Sequence, residues 1–486
     1  MYDYRAFAMR KLSSVGLKYM PFADVATDKV PLSRLLRLSL FQITVGMALV
    51  LMVGTLNRVM IVELSVPASL VAGMLALPLL FAPFRTLIGF RSDVHVSALG
   101  LRRVPYIWKG TLYQFGGFAI MPFALLVLSG FGESYDAPLW LGHGSAALSF
   151  LLVGAGVHMV QTVGLALATD LVEEESQPKV VGLMYVMLLF GMVFSALIFG
   201  ALLENYTPGR LVQVIQGAAV VTVLLNLVAM WQQEPRDRAR ARAMKEMQPM
   251  QFNEALQMLI RRPGMLRLLI VIGLGTFGFG MADVLLEPYG GQVLGLSVAS
   301  TTKLTALFAL GTLVGFGFAS KVLGQGGSPV RYAIVGAAIG VPGFLAIIFA
   351  SVSVAVGLFL IGTFLIGLGT GLFGHATLTA TIRAAPSNQI GLSLGAWGAV
   401  QATAAGIGIA LAGIVRDLVV GLQHVAGNAP ETPYNFVFTI EIIFLLLALL
   451  VTLPFLKDQK KKNVTSDTDD FRTPASEQHP KSMELS

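Results

Sequence analysis

The chain has 486 residues, 55% of them hydrophobic and 13% charged, and a mean hydropathy of +0.73. A soluble globular chain is about a quarter charged, so this composition excludes that class and points to a polytopic membrane protein. The net charge of +7 does not mark a nucleic-acid binder, because no basic stripe with interleaved aromatics occurs; with no cysteine, disulfides, thiolate metal sites and cysteine nucleophiles are excluded as well.

Residues 1–37 form a polar, basic N-terminal segment without the apolar core of a cleavable signal. Tyr4, Ala8, Leu12, Val15 and Tyr19 recur at helical spacing, with Arg5, Arg10 and Lys18 between them. Two readings stay open here, an interfacial helix on an anionic leaflet and a frayed basic terminus. Twelve apolar runs of spanning length then follow, each near the roughly 20 residues needed to cross the hydrocarbon. The first six are Leu38–Val62, Ala68–Phe90, Tyr106–Leu128, Gly144–Thr169, Val180–Leu203 and Leu211–Trp231, within a half covering 38–231. After a basic linker, 232–264, come Met265–Leu286, Thr301–Val322, Tyr332–Ala350, Val354–Gly374, Ile390–Val415 and Phe436–Leu456, within a half covering 265–456. Phe252, Leu256, Leu259 and Ile260 give the linker one apolar helical face. The tail, 457–486, is polar, poor in aromatics and expected to be disordered.

With both termini in the cytoplasm, nearly all Lys and Arg fall inside; only Arg58, Arg210, Lys303 and Arg416 fall on the far side. The opposite orientation inverts that ratio, so the positive-inside rule predicts N-in and C-in. One inside loop is acidic (Asp170, Glu173, Glu174 and Glu175), and its carboxylates are candidates to meet Arg102 and Arg103 across that face.

The loop Gly89–Tyr106, GFRSDVHVSALGLRRVPY, opens with Gly89-x-x-x-Asp93 and closes with Arg102 and Arg103. It resembles, with a few added residues, the loop between helices 2 and 3 of major facilitator superfamily transporters. A second copy begins at Gly317, a shift of 228 positions (317 − 89), and Arg331 follows Arg103 by the same shift. The shift is half of the hydrophobic chain, so two homologous halves are predicted: an all-α membrane protein of twelve helices in two pseudo-symmetric sets of six. Lys321 replaces the acid in the second copy, so any charge latch belongs to the first half.

Asp283 and Glu287 are four residues apart, on one face of the seventh span, and Arg58, beside Asn57, lies near the outer end of the first. Acids at membrane depth line cavities or pair with bases, so Arg58, Asp283 and Glu287 form a candidate intramembrane charge cluster. Its two readings are a proton-coupling acid and, favoured, a structural Arg–carboxylate clasp closing the outer side. His158, with Gln161 nearby in span four, and His375, after span ten, are candidate axial ligands for a chlorophyll magnesium; the alternative for each is a hydrogen bond to a neighbouring helix. No multi-residue metal site is visible. Gly367-x-x-x-Gly371 fits a helix-packing motif better than a phosphate cradle, and with no Walker sequence or nucleophile elbow, no enzyme activity is expected.

Longer strings carry a closer resemblance. Pro31–Leu64, FAPFRTLIGFRSD (Phe81–Asp93), RRVPYIW (Arg102–Trp108), Gln114–Gly130, Val181–Ala196 and FGFGMADVLLEPYGGQVLGLS (Phe277–Ser297) resemble the PucC/LhaA family, the bacteriochlorophyll-delivery branch of the superfamily. The similarity runs from about Phe22 to Leu456; Leu101 departs from it, standing where many members have Trp. The resemblance implies an assembly factor for purple-bacterial light-harvesting complexes, multi-pass in the photosynthetic inner membrane, handling bacteriochlorophyll transiently. Antenna polypeptides, pigment-synthesis and membrane-insertion machinery and membrane lipids are its implied partners. Two alternatives stay open: a proton-coupled transporter of a tetrapyrrole or other hydrophobic solute, and a structural subunit docked on a photosynthetic complex.

Overall fold

The computed structural model describes residues 30–80, 88, 92, 101–130, 136–173, 176–234, 261–262, 264–353, 355–384, 390–423 and 429–470. The proposed interfacial helix before residue 30, Gly89 and Asp93 of the loop motif, and linker residues 235–260 lie outside the described residues. Every regular element among those described is helical, as expected for a chain whose backbone must be satisfied in hydrocarbon.

The helices, in chain order, are α1 (Leu32–Glu63), α2 (Ala68–Leu80), α3 (Val104–Ser129), α4 (Leu139–Asp170), α5 (Gln177–Leu202) and α6 (Pro208–Met230). The second half holds α7 (Met265–Gln292), α8 (Val298–Gly324), α9 (Pro329–Ser353), α10 (Val356–Ala384), α11 (Ile390–Gln423) and α12 (Thr432–Asp470). Eleven are long and apolar enough to cross a membrane, and the twelfth, α2, is a shorter apolar helix among the described residues. Their ends follow local chemistry. Pro105 opens α3 and Gly130 closes it in the left-handed conformation at φ 61°, while the Thr207 hydroxyl accepts the Arg210 N–H at 3.0 Å to start α6.

Most bounds lie within several residues of those read in the sequence, and three differences carry a clear local cause. Helix α1 begins at Leu32, inside the segment assigned to the terminus, because Leu35 and Leu38 are fully buried and the Arg34 guanidinium donates to the Gln233 carbonyl at 2.7 Å. Helix α10 runs to Ala384, so His375 lies within it and not after it; nothing breaks the helix before Pro386. Helix α12 runs to Asp470, into the stretch expected to be irregular. Lys457 to Asp470 holds no Gly or Pro, and extending a formed helix costs far less than nucleating one.

Packing repeats at a step of six helices. In the first half α3 lies against α4 and α6, and α1 against α5 and α6; in the second α9 lies against α10 and α12, and α7 against α11 and α12. The halves meet along α2–α11 and α5–α8, two pairs exchanged by the same step. Helix α1 is the most enclosed, with 83% of its apolar window buried, and α7 follows at 67%; every other span reaches 50% or less. These two helices form the centre.

Without a hydrophobic driving force inside a bilayer, helices associate through close backbone approach. Gly367 and Gly371 on α10 lie against the carbonyls of Phe308 and Thr312, while Gly311 and Gly315 on α8 lie against those of Phe364 and Leu368. The small-residue motif is thus half of a reciprocal seam. Gly371→Val overpacks it and is expected to cost about 1–3 kcal/mol, read as a lower thermal midpoint in detergent than Gly374→Val, since Gly374 has open space beside it.

Candidate functional site

The central pair of helices is irregular where it meets. Helix α1 widens into π-helical turns over Val50–Leu56 and Val59–Glu63, and α7 is interrupted at Met281. Pro288, inside α7, has no N–H to give the carbonyl of Val284 four residues back. The Asn57 side chain of α1 supplies the donor, reaching the Val284 carbonyl at 2.9 Å and its own Val53 carbonyl at 3.0 Å. One buried amide therefore repairs a proline gap and joins the halves.

Arg58 does not clasp Asp283 or Glu287. It is 3% exposed, pairs with Glu63 at 2.5 Å through Nη1, and donates to the Leu296 carbonyl at 3.0 Å through Nη2. Glu63 is five residues on, and π-helical turns stack positions i and i+5, which ordinary helical spacing does not. Tyr206, on the α5–α6 turn, lies in the field of the same pair; burial, and then the Glu63 carboxylate, push its hydroxyl up to about 12, with Arg58 opposing. The guanidinium also lies against Gly291, one turn beyond Glu287 on α7. The expected cluster is thus split into an Arg58–Glu63 closure and a separate acidic site.

That site is a cavity of about 150 Å³ where α1, α5, α7, α8 and α10 converge. Leu49, Val53, Met192, Leu304 and Phe308 give it apolar walls; Asp283, Glu287, Thr305 and Thr363 are its polar groups. Glu287 is 4% exposed, its Oε1 accepts from the Thr305 hydroxyl, and its Oε2 has no hydrogen-bond partner. It lies against Gly54 on α1 and so does not snorkel to the interface. A third acid, absent from the sequence reading, sits behind the wall. Glu441 on α12 is fully buried, and neither of its carboxylate oxygens has a hydrogen-bond partner. The signal was visible: one Glu inside the apolar run Phe436–Leu456.

The two candidate histidines lie in different halves. His158, on α4, is half-buried, as is Gln161 a turn on. His375, on α10, lies tilted 4.2 Å from the Phe316 ring of α8, which in turn lies 6.2 Å from Tyr185 of α5, and the His375 Nδ1 is buried without a hydrogen-bond partner. Imidazole and aromatic rings thus line the join between the halves, nearer the face where α1 begins (the N-face) than the acidic cavity. Among the described residues no three His, Asp or Glu side chains converge on a metal position.

On the N-face the two arginines of the loop motif meet one carboxylate. Asp170, at the end of α4, pairs with the Arg103 Nε at 2.7 Å and the Arg102 Nη2 at 3.4 Å. Glu234, just past α6, accepts the backbone N–H groups of Arg102, Arg103 and Val104 at 2.7–3.1 Å, capping α3 at its positive end. The Arg103 Nη1 reaches the Ser92 hydroxyl at 3.0 Å, so the latch gathers α3, α4, α6 and the loop. Asp170 is the member of the acidic loop that fulfils the expectation; the Glu234 cap was not foreseen. On the far face the Asp417 carboxylate of α11 caps α2 at the Ser69 N–H, 2.7 Å away, and Gly413 lies against Ala68 and Ala72. The halves are thus drawn together at that face.

Comparisons with known proteins agree with this architecture. A family model described as PUCC protein matches residues 55–460. The chain is 69% identical over 456 residues to Protein PucC of Rhodobacter capsulatus, covering 93% of this chain and 99% of that protein. It is 59% identical to Protein PucC of Cereibacter sphaeroides, over 92% of this chain and 97% of the other. A more distant relative, 28% identical over 86% of this chain and 94% of its own length, is named Bacteriochlorophyll synthase 44.5 kDa chain, from Rhodobacter capsulatus. Among solved structures, a D-xylose–proton symporter matches with a TM-score of 0.65 at 15% identity, over 86% of this chain and 96% of that one. An inward-facing, unoccupied bacterial homologue of the lysosomal transporter Spinster matches with a TM-score of 0.61 at 17% identity, over 88% and 98%. These two share the fold alone; it is that of major facilitator transporters.

Two substitutions test this geometry. Asn57→Val leaves the Val284 carbonyl orphaned and is expected to cost about 1–3 kcal/mol, seen as a lowered thermal midpoint of the purified protein. Glu234→Gln weakens the cap on α3 by about 1 kcal/mol, and hydrogen exchange is expected to quicken at Arg103 and Val104 while α12 is unaffected.

Proposed function

The chain belongs to the PUCC protein family, and we propose that it is an assembly factor for purple-bacterial light-harvesting complexes that binds bacteriochlorophyll and passes it to antenna polypeptides. It works in the photosynthetic inner membrane with the N-face in the cytoplasm, where the basic ends of its spans gather. Pigment-synthesis and insertion machinery are its expected neighbours, a reading supported by the relative named as a bacteriochlorophyll synthase chain.

The observation that carries the pigment reading is His375. A chlorophyll magnesium would take one donor from the protein, and the buried, unpartnered Nδ1 of His375 would supply it. Phe316 and Tyr185 offer the flat apolar faces on which a macrocycle packs. The bound pigment would supply its own chromophore and metal; the chain supplies the imidazole and the rings.

A second reading, proton-coupled transport, draws on the acids of the central cavity. Its tetrapyrrole version is disfavoured there, since about 150 Å³ is the liquid volume of roughly five waters and far below a chlorin ring.

The test is the absorbance spectrum of the full chain purified in mild detergent from a phototrophic host, beside His375→Ala and His158→Ala. Stoichiometric bacteriochlorophyll in the native protein, largely lost in His375→Ala and kept in His158→Ala, is the expected outcome. Loss in His158→Ala alone moves the site to α4, and pigment-free native protein overturns direct binding.

A further inference from the structure

We propose that Asp283, Glu287 and Glu441 form a proton-binding site at the centre of the molecule, with Glu441 as its deepest member. Two of the three belong to the cavity wall, and Glu441, on α12, stands beside Asp283 where α12 packs on the second part of α7, close to the interruption at Met281. Three carboxyl groups are thus gathered in the most enclosed part of a membrane-spanning protein, and three carboxylate oxygens (Glu287 Oε2 and both of Glu441) have no hydrogen-bond partner. An ionised carboxylate in such a place needs a counter-charge.

Among the described residues the surrounding helices supply none. On α1, Arg58 is committed to Glu63 and the Leu296 carbonyl, and Asn57 to carbonyls. On α8, Lys303 is exposed with its stem against Gly200 of α5, leaving the hydroxyl of Thr305 on Glu287. On α10 the wall group is the neutral Thr363. Arg416 on α11 is paired with Asp417 at 2.9 Å and donates to Gln292, and Tyr434 on α12 donates to the same amide oxygen. No three His, Asp or Glu side chains among the described residues converge on a metal position. The remaining cation that fits without extra ligands or space is the proton.

Discharge balances simply: the carboxyl O–H bond breaks, the proton passes to water in the cavity, and a carboxylate remains. The nearest guanidinium among the described residues is then Arg58, one turn away along α7, where it lies against Gly291. Loss of the Glu287 proton therefore sets Glu287 against Glu63 for one arginine and links proton release to the closure at the far face. The inference is independent of pigment binding.

Infrared spectroscopy of the purified full chain tests it, because a protonated carboxyl shows a C=O stretch that shifts in D₂O and a carboxylate does not. At neutral pH the native protein is expected to show this band, and Glu441→Gln and Glu287→Gln each to lose a distinct component of it. Absence of the band in native protein, or an unchanged band in both variants, overturns the proposal. Glutamine has the shape of a protonated glutamate, so both variants should fold. If Glu441→Gln does not, raising the pH on native protein and on Glu287→Gln decides: the band must fall in the native protein and be smaller throughout in the variant.

Discussion

The contact between α1 and α7 is the constraint on which this structure depends. Both helices are buried deeper than any other, and both depart from regular geometry where they touch. In water such departures are cheap because solvent satisfies the freed groups; in hydrocarbon the protein must do it internally. Pro288 frees one carbonyl and Asn57 occupies it. The widened turns of α1 carry Arg58 to Glu63 and Leu296, which neutralises the arginine without consuming the acids of α7. An irregularity in each helix is thus matched by a side chain, and the matching holds the halves together.

Around that centre the two-fold repeat does most of the architectural work. The main contacts within one half have counterparts six helices on, and the pairs joining the halves exchange under the same step. The repeat is not kept in its charges. The first half has an ion-paired latch at Arg102, Arg103 and Asp170; in the second, Arg383 donates to the carbonyls of Leu323 and Gly327 at the end of α8. Backbone packing is shared between the halves while electrostatics has diverged, which is what fold constraints on the one side and specialised surfaces on the other produce.

Legibility followed the physics. Spans were readable because a long apolar run has few alternatives in a chain this hydrophobic, and Gly367 and Gly371 because close approach needs small residues. Asp170 was readable as an acid on the same face as two arginines. The Arg58–Glu63 pair was not, because i and i+5 meet only on a π-helical turn, and nothing in VMIVE announces one. The Glu234 cap needs the ends of α6 and the start of α3 to be neighbours, a tertiary fact absent from either segment. Glu441 is different: an isolated acid within an apolar run was available to be noticed, though its approach to Asp283 needed the packing of α12 on α7.

The two polar features at the join divide by size and by chemistry. The acidic cavity is small and walled mainly by apolar side chains, so it accommodates protons and a few waters. The aromatic cluster around His375 has flat faces and one uncommitted nitrogen donor, nearer the N-face. A large flat ligand and a proton therefore have no reason to compete for one position. Both lie beside α5, α8 and α10, and the α5–α8 pair links the two halves, so occupancy of either bears on the same interface. The join between the halves thus offers two chemically distinct environments, an aromatic one with a nitrogen donor and a small acidic one, within one shared fold.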